Sequence, residues 1–193
     1  TGLIEVVRGS GIFEPIDIHF ARLMCRLAGE ASSEELFLAA ALASNVTQDE
    51  KHVCLDLKAC AGTTLEAFGR TGAVRLPGLA HWIDRLRAAP VVGSPGDYRP
   101  LILDASHRLY LYRYWMYEQR LARDIMARHA LPMRHLESGA VKAVLDRYRE
   151  RGIELDLFQT IAAIAAASRG FCVITGGPGT GKTFTAALVL ELL

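Results

Sequence analysis

The sequence predicts a mainly α-helical N-terminal domain with a small β-hairpin or sheet, followed by the first strand, loop and helix of an α/β domain. Three observations support this fold class. Apolar residues recur at helical spacing through much of the first 150 positions, two strand-like segments flank a turn near position 105, and an apolar segment leads into a glycine-rich loop at position 176. A charged helix gives way to an apolar segment near position 150, so we place the domains at 1–150 and 151–193.

Two helices are predicted at the start of the chain. Residues 16–28 carry apolar side chains at helical spacing. Ser32 stands three positions before Glu35, a capping-box pattern that begins a second helix running to about position 43. The apolar side chains that give the first helix its spacing are Ile16, Phe20, Leu23 and Leu27.

A hairpin and a long helix are predicted next. Residues 52–57 read as a short strand, 79–89 as a helix, and 101–104 and 108–112 as two strands around a turn. In the long helix, 113–129, we expect Tyr114 and Tyr117 in the core, and part of the set Arg113, Trp115 and Arg120 outside it. One face of this helix is formed by Tyr114, Tyr117, Leu121 and Ile125.

The last part of the chain carries the most specific motif. A helix at 158–170 and an apolar strand at 171–175 precede a loop that matches G-x-x-x-x-G-K-[ST] at every fixed position, and a helical run follows it. Glycines permit positive φ angles, so that backbone N–H groups curl around a phosphate at the N-terminus of the next helix. The loop residues are Gly176, Gly177, Pro178, Gly179, Thr180, Gly181, Lys182 and Thr183.

Two side chains of the loop carry the predicted chemistry. Lys182 is placed to reach the β- and γ-phosphates of a nucleoside triphosphate, and the Thr183 hydroxyl to hold Mg²⁺. Gln159, seventeen positions before Gly176, can offer an amide donor and acceptor to adenine. Spacing alone favours a solvated glutamine at the start of a helix, and both interpretations stay open here.

Composition indicates an ordinary globular protein, with 51% hydrophobic and 22% charged residues. The formal net charge of +1 provides no bulk attraction for nucleic acid, so DNA contacts need a local patch or residues outside this sequence. No apolar run approaches the roughly 20 residues that span a bilayer, so no membrane association is expected. The four cysteines lie among apolar neighbours without metal-site spacing, which predicts buried, reduced thiols and fits the cytoplasm. Because the chain begins at Thr1, we expect the native start to be missing or trimmed.

Two groups of side chains are weaker candidates for nucleic-acid binding. The arginines between 108 and 128 are more readily explained as a solvated helix face paired with Glu118 and Asp124. The aromatic residues at 110–117 more often fill a core or a subunit contact than stack on bases. No catalytic role is assigned to the scattered histidines, which are His19, His52, His81, His107, His129 and His135.

These motifs resemble a known family. VITGGPGTGKT, preceded by LDLFQ, resembles superfamily 1 DNA helicases. HVCLDL and PLILDASHRLYLYRYWMYEQRLA resemble RecD, the alpha-subunit family of exodeoxyribonuclease V, and the similarity runs from about position 15 to the end. The resemblance implies a 5′-to-3′ ATP-driven helicase motor of RecA-like α/β fold that acts in recombinational repair of double-strand breaks. It also implies a RecB-like partner that carries the exonuclease centre and a RecC-like scaffold on which the N-terminal domain docks.

The resemblance also assigns the site residue by residue. It implies Gln159 for adenine, positions 176–181 for phosphate, Lys182 for the β- and γ-phosphates, and Thr183 for Mg²⁺. A complete motor further needs an acidic residue for Mg²⁺, an arginine finger and a second motor domain, and DNA is bound by that complete motor. We therefore expect the sequence to be a fragment of a longer parent protein. The fragment would hold a complete N-terminal docking domain and the start of the motor, and would be inactive by itself.

Two alternatives remain at this stage. One is a stand-alone enzyme that uses the same phosphate-binding loop, such as a nucleotide kinase. The other is a stand-alone helicase of the RecD2 type, whose N-terminal extension carries helix-hairpin-helix DNA-binding units. RLPGLA at 75–80 resembles part of such a unit, but no convincing pair of hairpins is visible.

Overall fold

The computed structural model describes residues 12–48, 52–64 and 75–193, and within them it is mainly helical with one small four-stranded sheet. The chain divides into two compact units, Thr1–Gln119 and Arg120–Leu193. The division precedes the boundary predicted at residue 150, because Tyr148 packs edge-on against Phe184 within the later unit. The assignment of 1–150 and 151–193 as functional domains stays a prediction.

Helix α1 spans Pro15–Ala28, and its sequence accounts for its start. Pro15 occupies the first turn, where a missing backbone N–H costs nothing. The Glu14 backbone N–H donates to the Asp17 carboxylate at 3.1 Å, which completes a capping box. The predicted helix at 16–28 is therefore confirmed.

The apolar row that predicted helix α1 is not the face that packs on the core. Ile16, Leu23 and Leu27 are 55%, 41% and 56% exposed. The side chains that face the core include Ala21 and Ala28, which pack against the alanine-rich helix α2, Glu34–Gln48. Small residues on both helices permit a close approach that larger side chains would prevent. Periodicity therefore predicted the helix, but it did not identify the face that packs.

Helix α2 is the central element of the first unit. It is buried from Leu36 through Val46, as expected for a helix that is apolar on every side. Ser33, not Ser32, caps its start, because the Ser33 Oγ accepts a hydrogen bond from the Leu36 backbone N–H at 3.2 Å. The helix also continues past the predicted end to Gln48.

A buried carboxylate joins α1 to α2. Asp17 has no exposed surface, so its charge needs hydrogen-bond donors inside the protein. Three side chains of α2 provide them, at 2.6 Å from Ser44, 3.2 Å from Asn45 and 3.0 Å from Gln48. This network determines how the two helices align along each other.

The sheet has the strand order β1-β4-β3-β2. β1 pairs antiparallel with β4, β4 pairs antiparallel with β3, and β2 lies parallel to β3. The strand predicted within 52–57 and the hairpin predicted at 101–112 are both confirmed. The strands are β1 Leu55–Asp56, β2 Val92–Gly93, β3 Leu101–Leu103 and β4 Arg108–Leu111.

Side-chain hydrogen bonds close the β3–β4 turn and join a further helix to α2. The Asp104 carboxylate closes the β3–β4 turn, because it accepts hydrogen bonds from the backbone N–H and the Nε of Arg108, each at 2.8 Å. Helix α3, Leu57–Cys60, follows β1, and α4, Leu79–Ala88, confirms the helix predicted at 79–89. The fully buried Trp82 of α4 donates its indole N–H to the Glu35 carbonyl of α2 at 2.9 Å.

Helix α5, Tyr112–His129, confirms the long predicted helix but not its predicted inner face. Tyr117 is 56% exposed and Leu121 is 61% exposed, whereas Tyr114 and Ile125 are half-buried. Trp115 is half-buried as well, with its ring edge-on to Tyr110 at 5.0 Å. The strand β4 holds Tyr110 in place, so a sheet contact decides the orientation of the helix. The expected outer residues Arg113 and Arg120 are exposed.

The second unit contains α6, Ser138–Glu150, α7, Leu157–Ser168, and α8, Lys182–Leu192. Its small core consists of Val144, Tyr148, Ala163 and Leu188. The strand predicted at 171–175 is not formed in the described chain, and Val173 is 68% exposed there. A β-strand exists through hydrogen bonds to a neighbouring strand, and the described residues of this unit provide none.

Candidate nucleotide-binding loop

The glycine-rich loop, residues 176–181, leads directly into helix α8. Gly179 and Gly181 have φ angles of 79° and 74°, in the left-handed region that favours glycine. Gly181 is the N-cap of α8, so the free backbone N–H groups of the first helical turn begin at the loop. Together with the positive end of the helix dipole, these groups suit an anion.

The loop closes on itself and leaves little room for a side chain at two of its glycines. The Thr180 hydroxyl donates to the Gly177 carbonyl at 2.9 Å. A Cβ atom on Gly176 would lie 2.6 Å from the Thr180 Oγ1, and one on Gly181 would lie 2.5 Å from the Gln159 Nε2. Backbone atoms therefore form the curve of the loop, as a phosphate cradle requires.

The ammonium group of Lys182 lies against the first two residues of the loop. Its Nζ donates to the Gly176 carbonyl at 2.8 Å and to the Gly177 carbonyl at 2.6 Å. Thr183 follows in the first turn of α8, and its side chain is exposed. The residues present thus fit a phosphate group and the cation that accompanies it, because the Lys182 ammonium and the Thr183 hydroxyl directly follow the backbone cradle of residues 176–181.

Gln159 lies beside the loop. Helix α7 begins at the N-cap Asp156, whose carboxylate accepts from the Phe158 backbone N–H at 2.6 Å, and this cap orients the first turn that carries Gln159. The Gln159 amide Nε2 donates to the Thr180 carbonyl at 3.3 Å. The structure therefore brings together two segments that spacing alone did not connect. The role of Gln159 toward a base stays a prediction.

One contact behind the loop escaped the sequence analysis. The Tyr148 hydroxyl of α6 donates to a Glu191 carboxylate oxygen of α8 at 2.7 Å, and Arg147 lies 3.7 Å from the same carboxylate. This hydrogen bond raises the pKa of Tyr148. The two residues stand 43 positions apart, so no local pattern links them. Asp156, in contrast, has the residue type of an N-cap and was recognisable from the sequence.

The other sequence candidates do not converge on a second site. Tyr110 is almost fully buried, and burial raises its pKa, so its ring belongs to the core. Arg108 pairs with Asp104 at 2.8 Å. The ion pairs expected between the arginines of 108–128 and Glu118 or Asp124 are not formed among the described residues.

The cysteines only partly match the prediction of buried thiols. Cys172 is exposed, because the strand that was expected to bury it is not formed. Cys25, Cys54 and Cys60 are half-buried, and burial raises the pKa of the Cys25 and Cys54 thiols. No cluster of three His, Cys, Asp or Glu side chains suited to a metal ion occurs among residues 12–48, 52–64 and 75–193. Within the same ranges, every helix is too short or too polar to cross a bilayer.

The described chain combines a mainly helical unit that holds a four-stranded sheet with a glycine-rich loop later in the sequence, which leads into a helix N-terminus and matches the sequence pattern of a phosphate-binding loop. The model of the RecBCD enzyme subunit RecD, N-terminal domain, matches residues 9–110, which is just over half of the chain. The chain therefore belongs to the RecD family.

Curated relatives agree with this assignment. The chain is 38% identical over 188 residues to the RecBCD enzyme subunit RecD of Mycolicibacterium smegmatis, an alignment that covers 94% of this chain and 29% of the relative. It is 34% identical over 194 residues to the RecBCD enzyme subunit RecD of Mycobacterium tuberculosis H37Rv, covering 100% of this chain and 30% of the relative. The chain thus spans somewhat under a third of the length of these relatives.

Proposed function

We propose that this chain is the N-terminal part of an ATP-driven 5′-to-3′ DNA helicase subunit in a RecBCD-type exodeoxyribonuclease V, which acts in recombinational repair of double-strand breaks. Residues 1–150 would dock on RecC-like and RecB-like partner chains, and residues 151–193 would begin the RecA-like motor domain. The RecB-like chain would carry the exonuclease centre, and the assembly would work on DNA in the cytoplasm. The observation that carries the proposal is the closed loop at the start of α8 with Gln159 against it, in a chain of the RecD family.

The same geometry supports a role for each side chain toward ATP. The backbone N–H groups of 176–181 and of the first turn of α8 would receive the phosphates. The Lys182 ammonium would exchange its two carbonyl partners for β- and γ-phosphate oxygens, and Gln159 would bond the adenine. Mg²⁺, held through the Thr183 hydroxyl, supplies charge neutralisation for phosphoryl transfer when bound.

The family match weighs against a nucleotide kinase, because it covers residues 9–110, which lie entirely before the loop. A stand-alone RecD2-type helicase and a subunit of a complex would both carry the loop, so only assembly with partner chains distinguishes them. Co-purification with RecB-like and RecC-like chains from the same genome supports the subunit. A protein that unwinds 5′-tailed DNA alone and ignores those chains supports the stand-alone enzyme.

The motor assignment is tested in the full-length protein with Lys182→Gln. An amide keeps most of the length of the side chain but loses the charge that stabilises the transferring phosphoryl group, so DNA-stimulated ATP hydrolysis should fall by about 100-fold or more. Lys142→Gln is the matched control, since Lys142 is an exposed lysine of α6. A Lys182→Gln protein that hydrolyses ATP at the normal rate would contradict the assignment.

A further inference from the structure

Helix α1 presents an apolar stripe to solvent. Its members are Ile16, Phe20, Leu23 and Leu27, of which three are 41–56% exposed and Phe20 is half-buried. These residues stand three or four positions apart, so they lie in one row along the helix. The other face of α1 packs on α2, and of the stripe only Phe20 packs against the core of the first unit, at the edge of the stripe, whereas Ile16, Leu23 and Leu27 do not. A row of large exposed apolar side chains in a folded unit marks an interaction site.

A row of basic side chains borders the stripe. His19, Arg22 and Arg26 follow one another on α1 at intervals of three and four positions, which places them along the solvent side of the stripe. Among the described residues, none of the three pairs with a carboxylate. A cavity of about 190 Å³ opens beside this basic row and is lined by Phe13, Pro15, Ile18, His19 and Arg22.

We propose that the stripe and the basic row form one docking surface for a different protein chain, whose matching surface carries aliphatic side chains bordered by carboxylates. The inference rests on the proposed function, because it names the face through which this chain joins its partner subunits. Aliphatic side chains would pack along the stripe, one of them filling the cavity, while carboxylates would pair with Arg22 and Arg26.

Charge complementarity selects this occupant over a second copy of the chain. Two copies joined through α1 would bring two unpaired basic rows to one interface, and like charges brought together oppose association. An acidic border on the partner removes that repulsion and adds paired guanidinium groups. Arginine beside apolar anchors is a composition enriched at the energetic centre of protein interfaces.

The test uses the full-length protein, co-expressed with the RecB-like and RecC-like chains of the same genome. One double variant, Leu23→Ser with Leu27→Ser, removes apolar surface, and a second, Arg22→Glu with Arg26→Glu, reverses the basic row. Val53→Ser and Arg87→Glu are matched controls at exposed positions of the same unit. We expect both double variants to weaken assembly by roughly tenfold or more, with the controls unchanged and thermal melts near that of the wild type.

Each result decides one point. If the wild-type protein assembles with neither the RecB-like nor the RecC-like chain, the proposed function itself is contradicted. If the wild type assembles and both double variants match it, the docking surface is wrong while the proposed function stands. Weakening by the leucine variant alone overturns the acidic partner chemistry. Loss of a self-associated wild-type dimer in both variants makes the occupant a second copy. If the leucine double variant melts early, Leu27→Ala at the 56% exposed position replaces it.

Discussion

Replacing Gln159 with alanine tests whether its amide recognises adenine. A glutamine amide can donate to one atom of the adenine edge and accept from another, whereas guanine presents two acceptors at the same edge. Loss of such a pair of neutral hydrogen bonds costs about 1–2 kcal/mol. The ATP KM of the full-length protein should therefore rise roughly 5- to 30-fold, while the GTP KM stays near its original value.

Gln159 also has a structural contact, a hydrogen bond to the loop, whose loss would give a different result from the loss of adenine recognition. Its 3.3 Å hydrogen bond to the Thr180 carbonyl is long, and losing it would loosen the loop by about 1 kcal/mol or less. A loosened loop would raise the ATP and GTP KM values equally, because both nucleotides carry the same phosphates. The assay is steady-state hydrolysis of each nucleotide, with Gln119→Ala as an exposed glutamine control. Equal changes for both nucleotides refute adenine recognition, and no change makes Gln159 a solvated side chain.

Three further predictions concern the fold. Asp17→Ala should lower the free energy of unfolding by about 2–4 kcal/mol, since it removes the acceptor of the buried Ser44 hydroxyl and one acceptor of the buried Asn45 amide; Asp84→Ala is the exposed control in chemical denaturation. Burial pushes the pKa of Glu35 up, but its backbone hydrogen bond, His81, Ser33 and Arg85 together hold it below its ordinary 4.5. The stability that ionised Glu35 contributes is therefore complete above pH 4.5 and is lost as the pH falls through the lowered pKa. With His81→Ala, the free energy of unfolding, from melts at a series of pH values, should fall less steeply between pH 6 and pH 3, by less than about 1 kcal/mol. Limited proteolysis should cut at 149–155 if the predicted domains hold, and early cleavage at 100–130 would show that they do not.

Much of the fold was readable from local patterns. Helices at 16–28, 79–89 and 113–129 and the hairpin at 101–112 are present, because capping residues, turn residues and apolar spacing act within a few positions of each other. Which side of each helix is buried was not readable. On α1 the core lies against the alanines of α2, and on α5 the contact of Trp115 with Tyr110 replaces the expected face.

For the candidate site, the sequence by itself determined the loop and the residue types that suit a phosphate, since eight consecutive positions meet every requirement of the motif. Tertiary structure alone decided that Gln159 reaches the loop and that Tyr148 holds α8 through Glu191. It also decided that residues 171–175 form no strand, although their composition is that of one. The physical reason is the same in each case: helix caps and glycine turns act through neighbouring residues, whereas buried faces, amide contacts and strands depend on partners distant in the chain.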